Sequence, residues 1–177
     1  FTPGGGDSRI MSPRRLEIAG PIEISGIGNT ASREKIFICQ PLSTIQEAIC
    51  AEQILDSIAS RAFRRPLLSG ELDLAMTFYR RGRELGDFDL GIRTGLLPIL
   101  VSPKFLYRAE PPPVDLPAGM TFPLDDYALA SRLSFFLWSR LPDGELLALA
   151  EEGRLAEPEV MNAQVQRMLA DPRAEAL

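Results

Sequence analysis

The first 42 residues alternate polar and apolar side chains in three short stretches. Residues 15–19, 22–25 and 35–39 each follow this pattern, and Gly20-Pro21 and Pro41 separate or end them. A period of two is typical of strands that bury one face. The pattern therefore predicts a short β segment over residues 1–42, the remnant of a β-sandwich that begins upstream.

From Ser43 onward the apolar positions recur every three or four residues, which indicates helices. A first helix ends before Pro66, a second begins with Ser69 as its predicted cap, and a third runs from about Phe88 through Pro98. Ser43 and Gln46 have the spacing of a capping box. The predicted inward face of the first helix consists of Cys50, Ala51, Ile54, Leu55, Ile58 and Ala62.

A proline-rich stretch divides the helical part of the chain. Residues 110–122 include three consecutive prolines, which favour an extended spacer. The next helix, up to Trp138, is apolar on nearly all sides, and Leu129, Leu133 and Leu137 form one inward stripe. We therefore expect a mostly α-helical α+β fold with a helical domain at 43–109, a linker at 110–122 and the start of a second, truncated helical domain at 123–177.

Composition excludes several kinds of chemistry. The chain contains no histidine and two cysteines. Catalytic triads that need histidine, most zinc sites and haem attachment through C-x-x-C-H are therefore excluded within these residues. Two cysteines are also too few for an iron–sulfur cluster. The expectation is no cofactor and no metal in this chain.

The same composition bears on partners. A net charge of −5 argues against nucleic acid. No apolar run approaches the roughly 20 residues that a transmembrane helix needs.

Several long sequence segments resemble segments of one protein family. They are Ser32–Cys39, Arg61-Ala-Phe-Arg-Arg-Pro66, Ile99–Arg108, Leu124-Asp-Asp-Tyr-Ala-Leu-Ala-Ser-Arg-Leu-Ser-Phe-Phe-Leu-Trp138 and Met168–Arg173. They resemble the planctomycete-type, cytochrome c-associated exported proteins, which are built of successive domains of unknown function. The resemblance covers about residues 10–177.

This resemblance implies a periplasmic or otherwise exported parent protein in which a c-type haem, where the parent has one, lies outside these residues. It also implies that Cys39 and Cys50 form a disulfide, since cysteine pairs of exported proteins become oxidised in the compartments they enter. The alternative is a pair of buried free thiols. The expected partners are other domains of the same parent or neighbouring subunits.

The arginines of the phrase before Pro66 allow two interpretations. Arg61, Arg64 and Arg65 could converge on an anion such as a phosphate or a sugar acid. Alternatively, they could tie helices together through carboxylates and carbonyls. We favour the structural role for this cluster.

Other polar and aromatic groups also have a structural interpretation. Asp125 and Asp126 suggest a metal or acid–base pair, but neighbouring helix positions point about 100° apart, so helix capping is favoured. Phe135, Phe136 and Trp138 could stack on a sugar or haem, but the apolar helix favours core packing. Two further candidates lack essential partners: Ser102 and Ser131 have no base, and Gly26-Ile-Gly28 has no following helix.

The catalytic residues are unknown, and whether the parent is an enzyme stays open. The leading hypothesis is a structural and positioning module of an exported multidomain protein linked to c-type cytochrome electron transfer. One alternative is an exported carbohydrate-binding or carbohydrate-processing protein. Another is a non-catalytic assembly subunit of a larger complex.

Overall fold

The computed structural model describes residues 28–108, 115–117 and 119–176, and these ranges are helical. The elements run α1 (Ala31–Ile36), α2 (Thr44–Phe63), α3 (Asp73–Leu85), α4 (Phe88–Leu100), α5 (Pro103–Leu106), α6 (Asp126–Trp138), α7 (Gly144–Glu151), α8 (Pro158–Leu169) and a 3₁₀ helix (Pro172–Ala176).

The predicted α+β class is wrong, because the described ranges contain no strand. The predicted strand at 35–39 overlaps α1, which begins where the Thr30 hydroxyl accepts a hydrogen bond from the Arg33 N–H at 3.1 Å. This cap favours a helix over a five-residue alternation that is too short to specify a strand. The other two predicted strands, at 15–19 and 22–25, lie outside the described residues.

The long helix α2 forms the centre of the first hydrophobic core. Its buried side chains are Cys50, Ala51, Ile54, Leu55, Ala59 and Ala62. This confirms the predicted inward face, except that Ile58 is half-buried. At its N-terminus the predicted capping box is wrong: Ser43 makes no side-chain cap, and the Gln46 side chain accepts from the N–H of Leu42, the residue before the cap, at 2.9 Å.

Helices α3 and α4 form an antiparallel hairpin that glycines bring close together. A Cβ at Gly82 would lie 2.6 Å from the Thr94 Cβ, and a Cβ at Gly91 would lie 2.8 Å from the Tyr79 ring. These glycines therefore set the distance between the two backbones. α3 begins at Asp73, after Leu72, so the predicted cap at Ser69 is wrong.

The disulfide joins the segment after α1 to the second turn of α2. Cys39 and Cys50 are bonded, with their Cα atoms 5.9 Å apart. Cys50 is buried in the first core, and Ile36 and Phe37 pack against the same core. The bond therefore fixes α1 against the helical body.

A second hydrophobic core unites α6, α7, α8 and the 3₁₀ helix. Its buried members are Ala130, Leu137, Trp138, Leu146, Ala150, Leu155 and Met168. The stripe predicted for α6 is only partly right: Leu137 is buried, but Leu129 and Leu133 are half-buried. Small residues face the neighbours instead, since Ala130 and Ser134 are fully buried. The proposed domain boundaries remain a prediction.

Replacing Gly82 with alanine should lower the free energy of unfolding by about 1–3 kcal/mol, the usual effect of overpacking. The new methyl group would meet the Thr94 Cβ at 2.6 Å and the Leu90 carbonyl at 2.8 Å. Gly144→Ala is the matched control, because a Cβ there meets nothing within 4 Å. Urea denaturation measures both, and equal effects would contradict the close approach.

Reducing the Cys39–Cys50 bond should lower the free energy of unfolding by about 3 kcal/mol. The bond joins residues 11 positions apart and restricts the unfolded chain, which gains conformational entropy when the bond is broken. Denaturation with and without reductant measures the change. Alkylation of unreduced protein followed by mass spectrometry provides the control. Two labelled thiols in protein from its native compartment would contradict the pairing.

Candidate functional site

Arg64 occupies the turn where α2 ends. The residue adopts a left-handed conformation with φ of 62°, and its side chain is almost fully buried. Its guanidinium donates to the carbonyls of Ala62 (3.0 Å), Lys104 (2.8 Å) and Tyr107 (3.0 Å). A planar cation with several donors can satisfy carbonyls that diverge, and these bonds compensate for its removal from water. Arg64 therefore ties the end of α2 to α5.

Arg65 lies beside Arg64 but makes a different connection. Its guanidinium forms a two-pronged ion pair with Glu71, with N–O distances of 2.7 and 2.8 Å. Glu71 also accepts from the Leu68 N–H at 2.8 Å and pairs with Lys104. The hydrogen bond from Arg65, which outweighs burial, holds the pKa of Glu71 well below its usual range. The loop from α2 to α3 is thereby fixed by charge.

The three arginines do not converge on one point. Arg61 is exposed, Arg64 faces carbonyls, and Arg65 faces Glu71.

Trp138 is the centre of the second core and has a cation on its ring. The side chain is 2% exposed, and its Nε1–H donates to the Met168 carbonyl at 3.0 Å. The Arg173 guanidinium carbon lies 3.5 Å from the ring centroid. Trp138 therefore packs in the core, and its ring offers no open face to a sugar.

Two carboxylates position the arginines near this tryptophan. Asp171 pairs with Arg173 at 2.7 Å, and this hydrogen bond lowers the pKa of Asp171 to about 2. Asp143 pairs with Arg167 at 2.8 Å and caps α7 by accepting from the Leu146 N–H. Burial raises the pKa of Asp143, but the bonds from Arg167 and Leu146 outweigh it and leave the pKa below its usual value.

The two adjacent aspartates have separate structural roles. Asp125 caps α6 by accepting from the Ala128 N–H at 2.7 Å. Asp126 instead accepts from the Leu155 N–H at 2.6 Å, which fastens the segment after α7 to the start of α6. Within the described ranges no group of three or more acidic or cysteine side chains is arranged to hold a metal ion.

The remaining candidates lie apart from one another. Ser102 caps α5, and Ser131 is buried in α6. Phe135 is half-buried beneath Arg108, whereas Phe136 is 72% exposed, so core packing is wrong for Phe136. Of the pair Gly26 and Gly28, Gly26 lies outside the described residues.

Sequence reasoning missed Glu71, Lys104, Arg167 and Arg173. Two of their ion pairs join distant parts of the chain: Glu71 and Lys104 are 33 residues apart, and Asp143 and Arg167 are 24 residues apart. The only local signal is the short spacing of Asp171 and Arg173 near the end of α8. Pairs between distant elements leave no periodic mark on a sequence.

A depression with a volume of about 590 Å³ lies between α1 and α4. Its walls are chiefly Ile36, Phe37, Leu90 and Leu96, with the Arg33–Asp89 ion pair at its edge. The arrangement suits packing against an apolar surface better than bond-making chemistry.

Replacing Arg64 with lysine should lower the free energy of unfolding by about 1–3 kcal/mol, because an ammonium cannot reach three diverging carbonyls. Arg61→Lys is the matched control, since Arg61 lies in the same segment and is exposed. It should change stability by less than about 0.5 kcal/mol. Urea denaturation compares the two, and equal stabilities would show that the Arg64 contacts contribute nothing.

Acid should destabilise the protein partly through Glu71. A carboxyl group with a lowered folded pKa stabilises the fold above its unfolded pKa of about 4.3, and this stability is lost as the pH falls toward the folded pKa. Glu71→Gln should therefore reduce the loss of unfolding free energy between about pH 6 and pH 3. Glu84→Gln, on the exposed side of α3, is the control. An unchanged pH profile in the Glu71 variant would contradict the pairing.

Comparison with known proteins gives matches to two family models. Residues 50–110 match PSD5, described as a protein of unknown function (DUF1595), and residues 124–177 match PSD4, described as a protein of unknown function (DUF1592). No curated protein and no solved structure matches the chain. The two matched regions contain most of the first and the second hydrophobic core, respectively. The chain is therefore similar to DUF1595 over residues 50–110 and to DUF1592 over residues 124–177.

Proposed function

We propose that this chain is a structural and positioning module of an exported multidomain protein linked to c-type cytochrome electron transfer. The observation that carries the proposal is a set of ion pairs that join one helix to another. Arg33–Asp89 joins α1 to α4, Glu47–Arg83 joins α2 to α3, and Asp143–Arg167 joins α7 to α8. Side chains committed to such contacts serve to hold helices in place.

The disulfide supports an exported location. Cys39 and Cys50 are joined, and such bonds persist in oxidising compartments. No helix of the described part is long and apolar enough to cross a membrane. Periplasmic residence is therefore the location we propose.

Exposed apolar side chains support packing against further domains or subunits. Leu42, Ile45 and Leu85 are 91%, 81% and 78% exposed. Leu42 and Ile45 flank the start of α2, and the Glu47–Arg83 pair brings this end close to the end of α3. Apolar side chains grouped in this way are typical of surfaces that meet a partner.

The cytochrome link comes from the resemblance to cytochrome c-associated proteins. Covalent haem attachment through C-x-x-C-H needs a histidine, which this sequence lacks. The haem would therefore be held by another domain of the parent. This chain would position that domain without touching the iron.

The proposal can be tested on the intact parent protein, purified from the periplasmic fraction of its native source. An absorption spectrum with pyridine haemochrome analysis should show c-type haem. Limited proteolysis followed by haem staining and mass spectrometry should place the stain on peptides outside residues 1–177.

Three results would contradict the proposal. A haem-free intact parent would remove the cytochrome link and favour a carbohydrate-related or assembly role. Staining of a fragment confined to this chain would place the haem in the wrong part of the protein. Cytoplasmic fractionation of the parent, with both thiols free, would contradict export.

A further inference from the structure

Two adjoining depressions lie where the residues after α5 meet the end of α6. Their volumes are about 330 and 580 Å³, and both are lined by Arg108 and Phe135. We call them together the seam groove. Its other lining residues are Arg64, Phe105, Leu106, Arg132, Phe136, Ser139 and Leu141.

The walls of the seam groove expose large apolar side chains. Phe136 is 72% exposed, Leu106 58%, Leu141 40% and Phe105 37%. These residues come from two parts of the chain more than 25 positions apart, so the apolar surface is assembled by the fold. An apolar surface rimmed by polar groups is the usual mark of a protein interaction site.

Two arginines of the groove have no carboxylate partner among the residues that the structure describes. Arg108 and Arg132 are exposed, and neither forms an ion pair within the described part of the chain. Elsewhere Arg33, Arg65 and Arg167 each pair with a carboxylate. Arg108 and Arg132 line the same groove and therefore form a local positive patch. This patch contrasts with the net charge of the whole chain, which is −5.

Arg108 is placed so that its side chain can bind a carboxylate. Its guanidinium carbon lies 4.2 Å from the centroid of the Phe135 ring, so one face of the planar cation is stacked. Stacking holds the side chain in place and leaves the N–H groups at its edge able to donate. Such an edge binds a carboxylate through two parallel hydrogen bonds.

We propose that the seam groove binds an acidic peptide segment with apolar side chains, supplied by a partner protein. The carboxylates would pair with Arg108 and Arg132, and the apolar side chains would pack on Phe136, Leu106 and Leu141. Nucleic acid fits less well, because its regularly spaced phosphates need a longer basic surface than these two arginines provide. The inference goes beyond the proposed function, since it needs neither haem nor a redox partner.

The test uses the full 177-residue chain with its disulfide intact. The probe is a fluorescein-labelled nonapeptide that alternates glutamate with leucine and phenylalanine, and binding is followed by fluorescence anisotropy. We expect saturable binding that weakens with added salt. The same peptide with glutamine in place of every glutamate should bind about tenfold more weakly or worse, because charge-assisted bonds are lost.

Matched variants locate the site. Arg108→Gln and Arg132→Gln should each weaken binding by at least about fivefold, whereas Arg108→Lys should have an intermediate effect because it keeps the charge without the planar edge. Arg81→Gln, an exposed arginine on α3, is the charge control. Phe136→Ala should also weaken binding, with Leu85→Ala as the exposed apolar control.

Several outcomes would overturn the inference. One is the absence of saturable binding by the glutamate peptide; another is equal affinity for the glutamate and glutamine peptides. Equal weakening by Arg81→Gln and Arg108→Gln would indicate general attraction to positive charge. Circular dichroism of each variant ensures that lost binding reports on the groove, and Arg108→Lys provides a second variant if Arg108→Gln unfolds.

Discussion

The first helical body depends on one buried cation, the guanidinium of Arg64. A charge removed from water is costly unless hydrogen bonds replace those to the solvent. Here carbonyls from the end of α2 and from α5 provide these bonds. Since the acceptors belong to different elements, the cation is satisfied only when the chain has turned back after Phe63 and α5 has docked. Folding of this region and burial of the charge are therefore one event.

The second body uses an arginine differently. Arg173 lies over the Trp138 ring, and Trp138 bonds to the Met168 carbonyl at the end of α8. The aromatic ring provides the apolar contact, and Asp171 and Asp143 hold the neighbouring cations in place. In both bodies an arginine links an apolar core to the ends of helices. This use suits a planar cation better than the point charge of lysine.

Small residues also determine the architecture, because they let neighbouring helices pack closely. Gly82, Gly91 and Gly95 let α3 and α4 approach closely, and Ala130 and Ser134 do the same for α6. Close approach leaves little volume for large side chains at the contact. As a result, several leucines and phenylalanines remain on the surface, Phe136 among them. The exposed apolar surface is thus partly a consequence of how tightly the helices pack.

Much of the candidate chemistry could be interpreted locally. Capping by Asp125 follows from its position ahead of an apolar run, and the inward face of α2 follows from helical periodicity. The hydrogen-bond partner of Asp126 could not be predicted from the local sequence. Asp126 bonds to the Leu155 N–H, a group 29 residues away on another segment. The Lys104 and Tyr107 carbonyls that accept from Arg64, and the ion pair between Glu71 and Lys104, are likewise more than 30 residues away in the sequence.

The sequence by itself determined the helices from Thr44 onward, the buried face of α2 and the exclusion of histidine chemistry, because periodicity and composition are local properties. It failed at 35–39, where a five-residue alternation was too short to distinguish a strand from the helix that Thr30 caps. Only the tertiary structure decided which face of α6 is buried, which carbonyls receive Arg64, and that Arg108 and Phe136 share a groove. Those features depend on contacts between elements far apart in the chain, which carry no signature in either element alone.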